Sequence, residues 1–376
     1  MKDVYITRVS GFLPHAPVTN EEMEARLGLV DGKTSRARAI VLRNNGIVKR
    51  YYAMDAHGKA THTNAALAAE AVKRLAHGGV RVEDFEVLAC GTSAPDQLLP
   101  SHASQVHGLL PHALEIISPS GACASGMHAF KFGYMSVATG CSRNAVTTGS
   151  ELISPMMRSV NFEAETERFR QLDQDPIIGF EKEFLRWMLS DGAGAALLED
   201  APRGECDLKV EWVDSRSFAN ELQVCMYLGG DLDENGELVG WKVSPPEDFA
   251  GKALFTFKQD VKALGKYVVP VGTKYLVEVL AKHGVDSRSI DFVLPHVSSN
   301  FFKQKLHDEF VAQGIPMAWD RWFMNLTEVG NVGSASIYLM LDELVRSGRL
   351  RKGHRILLVV PESARFSYSF AFLTVV

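Results

Sequence analysis

Three short stretches hold residue types that can do chemistry together: Ser120-Gly-Ala-Cys123-Ala-Ser-Gly126, Leu294-Pro-His296 and Glu328-Val-Gly-Asn331-Val-Gly-Ser-Ala-Ser336. They supply a thiol, an imidazole and a carboxamide. A thiolate attacks a thioester carbonyl and exchanges acyl groups at little net cost. A neutral imidazole N–H and an amide N–H can both donate to one thioester oxygen. That pair stabilises the enolate formed when a malonyl-type donor loses carbon dioxide, or when an α-proton is removed. Cys123 stands among Gly121, Ala122, Ala124, Ser125 and Gly126, so nothing bulky screens its sulfur. A helix opening there is expected to favour thiolate over thiol. Cys90, Cys141, Cys206 and Cys225 lack such a setting and are expected to be small core residues. Taken singly, His296 could be a satisfied core histidine and Asn331 a helix cap. As a set they point to carbon–carbon bond formation from thioesters.

The elements that must position these groups come in two weakly repeated series. A strand-like run, Phe85-Glu-Val-Leu-Ala-Cys-Gly91, has a counterpart in Ile290-Asp-Phe-Val-Leu294. A small-residue helix follows in each series, opening near Cys123 and near Asn331 and ending at Gly140 and Gly348, where glycine is the usual C-cap. A strand ending at Glu151 matches one ending at Glu362, and each series closes on an apolar run, Gly194–Leu198 and Ser369–Val376. Alternating strands and helices predict parallel sheets covered by helices. The repetition predicts two βαβ-rich halves packed back to back, 1–200 with the cysteine and a cap insertion, 201–376 with the His/Asn pair.

Composition bounds the rest. With 376 residues, 46% of them hydrophobic, the chain can bury a large core. A formal net charge of −5 argues against nucleic acid as a bulk partner. No apolar run approaches the roughly 20 residues of a membrane span, and the first residues lack a signal-peptide pattern, so a cytoplasmic location is expected. Five scattered cysteines suggest neither a disulfide framework nor a metal site. Phe180, Phe184, Trp187 and Met188 fall at helical spacing and are expected to face a core; a substrate-tunnel lining is the other reading. Asp231-Leu-Asp-Glu-Asn-Gly236 superficially resembles a calcium loop, but Lys242 occupies the position that needs glutamate, so calcium is rejected.

The chain resembles the thiolase-fold condensing enzymes of the β-ketoacyl-acyl-carrier-protein synthase III type, from Val4 to Val376. The likeness rests on Gly121-Ala-Cys-Ala-Ser-Gly126, Val293-Leu-Pro-His296, Gly330-Asn-Val-Gly-Ser-Ala-Ser336 and Ser190-Asp-Gly-Ala-Gly-Ala-Ala196. The resemblance implies a layered αβαβα fold, Cys123 as the acylated nucleophile, and His296 with Asn331 as an oxyanion site. It also implies a homodimer, thioesters of CoA or of an acyl carrier protein's phosphopantetheine as substrates, and no metal or redox cofactor.

Departures from that family suggest a narrower reading. Its glycine-rich C-terminal loop is replaced by Pro361-Glu-Ser-Ala-Arg365-Phe-Ser-Tyr368, where an amide near Ala364 could still serve the oxyanion and Arg365 could grip a carboxylate or order the loop. A tryptophan that stacks on the CoA adenine is absent from Ile40–Ile47, which leans toward carrier-protein substrates. On the loop that reaches across the family's dimer, Leu98-Leu99-Pro100 stands where a bulky phenylalanine is common, and Leu99 could admit a longer or branched chain. Such departures resemble a subgroup that joins two acyl chains and closes a ring, giving dialkylresorcinol or stilbene precursors. Glu151 is the candidate acid or base for that closure, and is equally readable as a paired structural carboxylate.

An acidic carrier calls for a basic landing patch, for which Lys252, Lys258, Lys262, Lys266, Lys303 and Lys305 are candidates, with Arg43 and Arg50 as possible arm contacts by position. The expected function is a condensing enzyme of fatty acid or polyketide-type biosynthesis. Acyl transfer to an oxygen or nitrogen nucleophile without condensation, or a silent partner in a heterodimeric synthase, are the alternatives.

Overall fold

The computed structural model of the chain describes residues 1–30, 32–35, 38–162, 185–204 and 206–376. Nine strands form one sheet: β1 (Tyr5–Phe12), β2 (Val87–Gly91), β3 (Glu115–Ile117), β4 (Asn144–Glu151), β5 (Gly192–Glu199), β6 (Leu208–Ser217), β7 (Phe292–Pro295), β8 (Arg355–Glu362) and β9 (Ser367–Val375). Their spatial order is β7-β8-β9-β6-β1-β5-β4-β2-β3. Read outward from the centre, β1-β5-β4-β2-β3 is mirrored by β6-β9-β8-β7, and an isolated bridge from Val293 to Trp322 continues the second series. The two series join edge to edge at only Tyr5–Lys209 and Ile6–Leu208.

The sheet is mixed, not parallel as the alternation predicted. Strands β2, β3 and β4 run parallel, as do β7 and β8, but β5 and β9 pair antiparallel with β4 and β8. The reason for β9 is local: only a short turn separates Glu362 from Ser367, and so short a link allows only a hairpin.

Alternation along the strands sorts side chains into layers. Ile356, Leu358 and Val360 of β8 pack in one cluster with Met127 and Phe130 of α3 (Ser125–Thr139) and Ile337, Tyr338 and Leu341 of α6 (Ser336–Arg346). Leu357 and Val359 point the other way, toward α4 (Val261–Lys282) and α5 (Phe301–Ala312). In the first series Ala196 and Leu198 of β5 join the α3/α6 cluster, while Ala195 and Leu197 pack with α2 (Asn64–Arg74). The succession is α2, sheet, α3 with α6, sheet, α4 with α5: five layers, with the two helices nearest the reactive residues in the middle. The glycines expected to end α3 and to follow α6, Gly140 and Gly348, both have positive φ. Trp187 and Met188 are fully buried in the core; Phe180 and Phe184 lie outside the described residues.

Contact between the series is closest at Ser334. Its carbonyl oxygen would lie 2.1 Å from a Cβ at Gly149 and 2.3 Å from one at Gly126, so both positions require glycine. Tyr338 Oη donates to the Gly126 carbonyl at 2.8 Å beside it. Gly149→Ala should therefore destabilise the protein by about 1–3 kcal/mol, read as a lower denaturation midpoint in urea. An unchanged midpoint would show that the Ser334 segment shifts freely.

Candidate active site

His296 is delivered by the end of β7, and its amide donates to Val359 O at 2.8 Å, extending the β7–β8 ladder by one residue. Its side chain is 4% exposed, and its ring makes no hydrogen bond among the described residues. Burial alone pushes its pKa down to about 4, so the imidazole is neutral and keeps one N–H to donate.

Asn331 is fixed by its backbone: its N–H donates to Met188 O at 3.0 Å and its carbonyl accepts from Ser190 N at 2.9 Å. Its side-chain Oδ1 accepts from the Gly333 amide at 3.0 Å. A backbone N–H can only donate, so this bond fixes which end of the carboxamide is oxygen and leaves Nδ2 as the outward donor.

Cys123 sits two residues ahead of α3, half-buried, at the junction of two cavities. One is walled by His296 and by apolar residues of α4 and α5, among them Leu264, Val268, Phe302 and Leu306. The other is walled by Asn331, Glu151, Ile153, Leu189 and Phe257. Ser298 and Ser363 border both. The sulfur therefore borders a neutral imidazole's cavity on one side and a neutral carboxamide's on the other.

The expected thiolate is not what the resting site favours. Glu362 Oε2 accepts from Ala122 N at 2.9 Å and Ala124 N at 3.1 Å, taking amides on either side of the cysteine. Burial, then the charges of Glu362 and Glu151, push the Cys123 thiol well above its ordinary range. Glu362 entered the sequence reading only as a strand end. A carboxylate closing the apolar run Ile356–Val360 was the available signal.

Glu151 is buried at the end of β4. Its Oε1 accepts from Ser93 N at 3.1 Å and Ser334 N at 3.0 Å, and its Oε2 from Ser93 Oγ at 2.6 Å. Burial raises its pKa. It is both a wall of the second cavity and the brace that holds the Ser334 turn.

The other expected site residues fall in different settings. Ala364 turns its carbonyl to the amides of Cys225 and Met226, at 2.8 and 3.2 Å, and Ser363 is the loop residue bordering the cavities. Arg365 is exposed and donates to Leu222 O at 3.2 Å, away from both cavities, so it orders a neighbouring turn. Leu99 is 85% exposed and lines neither cavity. Lys258 is buried, paired with Asp231 at 3.1 Å and donating to Lys252 O at 2.8 Å, because it lies in a short antiparallel pairing with Tyr227. Arg50 is buried and donates to Asn20 Oδ1 at 2.7 Å. Neither cation can receive a carrier. Lys303 is half-buried, 5.3 Å from the Trp319 ring. Lys262 is exposed on the first turn of α4, and Arg43 is exposed near the end of α1 (Arg38–Asn45). Among the described residues no cluster of His, Cys, Asp and Glu could hold a metal ion.

Known proteins resemble the chain in both sequence and fold. Residues 280–361 match the family described as 3-oxoacyl-[acyl-carrier-protein (ACP)] synthase III C terminal. A β-ketoacyl-[acyl-carrier-protein] synthase III of Rhodopirellula baltica is 28% identical over 367 residues, covering 95% of this chain and 94% of that one. The fold is shared with the tetronic acid condensing enzyme AbyA1, at a TM-score of 0.75, 21% identity and 99% coverage of both chains. It is shared too with Xanthomonas campestris OleA, solved with bound lauric acid and lauroyl-CoA, at a TM-score of 0.74, 19% identity and 99% coverage of both. Over nearly its whole length the chain is thus similar to β-ketoacyl-acyl-carrier-protein synthases III, acyl-transferring condensing enzymes, and its C-terminal segment matches their family.

Proposed function

We propose that the chain loads an acyl group from a carrier-protein or CoA thioester onto Cys123 and condenses it with a malonyl- or β-ketoacyl thioester. The observation that carries this reading is the position of Cys123 where two cavities meet, one bearing His296 and the other Asn331. In the first half-reaction the carrier's thiol leaves and the acyl group stays on sulfur. In the second, the extender's thioester oxygen lies between the His296 ring and Asn331 Nδ2. As the extender loses carbon dioxide or a proton, both neutral donors strengthen their bonds to the enolate oxygen, and the α-carbon attacks the acyl carbon.

Two apolar cavities suit two chains. This supports the narrower reading, a product in which both partners carry an alkyl chain and a ring then closes to a dialkylresorcinol precursor. Glu151, on the second cavity and holding a proton more readily than an ordinary carboxylate, is suited to the closing step. Lys262 and Lys266 are the exposed cations best placed to meet an acidic carrier. We take the working unit as a homodimer: β3 leaves one edge of the sheet unpaired, and Leu98, Leu99 and Leu109 are exposed on the segment leading to it.

Intact-protein mass spectrometry with a panel of acyl thioesters should show an adduct in the wild type and none in Cys123→Ala; no adduct with any chain would overturn the reading. Asn331→Ala should still load but lose malonyl decarboxylation by roughly 10²–10³-fold; undiminished decarboxylation would favour acyl transfer without condensation. Leu306→Trp and Ile153→Trp, which fill different cavities, should shorten different chains of the product, as read by mass spectrometry. Shortening of the same chain by both would exclude one chain per cavity.

His296 also predicts a pH dependence. Its folded pKa lies below its ordinary value, so the unfolded chain binds the extra proton first as pH falls. The stability from burying it neutral is complete above pH 6.5 and is lost as pH falls toward about 4. His296→Asn should flatten that part of the stability–pH curve in urea titrations. A curve identical to that of the wild type would show that the ring is charged or solvated.

A further inference from the structure

Glu362 stands at the end of β8 with its side chain against the nucleophile's turn. Both amide bonds it receives end on Oε2, and Oε1 has no hydrogen bond among the described residues. The titratable groups whose charges it meets are Cys123 itself and His128 one turn along α3, with Lys131 beyond; Glu151 acts on the same sulfur. No salt bridge reaches Glu362 among the described residues.

This setting decides how the thiol can lose its proton. Loss to water would set a thiolate beside two carboxylates in a buried site, and like charges there disfavour one another strongly. Passing the same proton to Glu362 keeps the pair at one negative charge, as thiolate and carboxylic acid in place of thiol and carboxylate. The acid form still offers Oε2 to both amides and places its proton on the free Oε1. His296 is a poorer acceptor, because burial disfavours imidazolium and the Glu362 charge would remain beside the sulfur.

Resting on the reading of Cys123 as the acylated nucleophile, we infer that Glu362 accepts the Cys123 proton during acyl loading and returns it to the departing carrier thiol. As the bond from Sγ to the acyl carbon forms, the proton moves from Sγ to Oε1. As the bond from that carbon to the carrier's sulfur breaks, its electron pair stays on the sulfur, which takes the proton from Oε1. One thiol is consumed and one released.

Glu362→Gln tests this directly, since its side-chain oxygen can accept both amides but cannot take a proton. Single-turnover loading from octanoyl-CoA and an octanoyl-carrier protein would be followed by quench-flow and intact mass spectrometry between pH 6 and 9.5. The wild type should load at a rate nearly independent of pH. The variant should load roughly 10²-fold slower or more at pH 7 and close the gap as pH rises. Equal loading at pH 7 overturns the inference while leaving the acyl-enzyme in place. A variant slow at every pH assigns Glu362 a purely structural role and overturns it equally. Absence of an adduct in the wild type removes the acyl-enzyme reading and this inference with it.

Discussion

The approach of the Ser334 turn to the first half of the sheet is the constraint on which the rest depends. Its backbone touches β4 and α3 where only glycine leaves room, and its amide is held by the buried Glu151 carboxylate. That contact sets the distance between the series, and hence where Asn331 stands relative to Cys123. A looser fit would cost packing density in the middle layer and spread the donors apart. Interiors packed this tightly pass a displacement on to their neighbours.

The site's electrostatics are the reverse of a simple activated thiolate. Two carboxylates flank the sulfur, the imidazole is held neutral by burial, and the carboxamide bears no charge. Such a pocket offers donors without cations, and it withholds stabilisation from negative charge until charge develops on a substrate oxygen. Burial serves this directly, since a hydrogen bond aimed at a developing oxyanion is worth more where water is excluded.

The sequence carried a good part of this, for physical reasons. Cys123 and Asn331 are legible because small residues crowd both, and bare backbone beside a polar side chain is rare away from sites. His296 is legible from its place just after an apolar strand. Glu362 was not, because what it touches is fixed by docking of one half on the other across 240 residues. Lys258 failed for a similar reason: its chain neighbours look solvated, but pairing with Tyr227 turns it inward against Asp231. The antiparallel direction of β9 was hidden in the length of a turn.

Both cavities at Cys123 are walled by residues that the ribosome makes long after the cysteine, among them Leu264, His296 and Asn331. The carboxylate on its flanking amides arrives 240 residues later than Ala122, which at ordinary elongation rates is roughly 10–50 seconds. The first half of the sheet can close meanwhile, since β1 to β5 all precede residue 200. Until then the thiol has part of the second cavity beside it but lacks the α4 and α5 walls and both neutral donors. The full set of walls and donors around Cys123 therefore comes together only when the second half docks on the first.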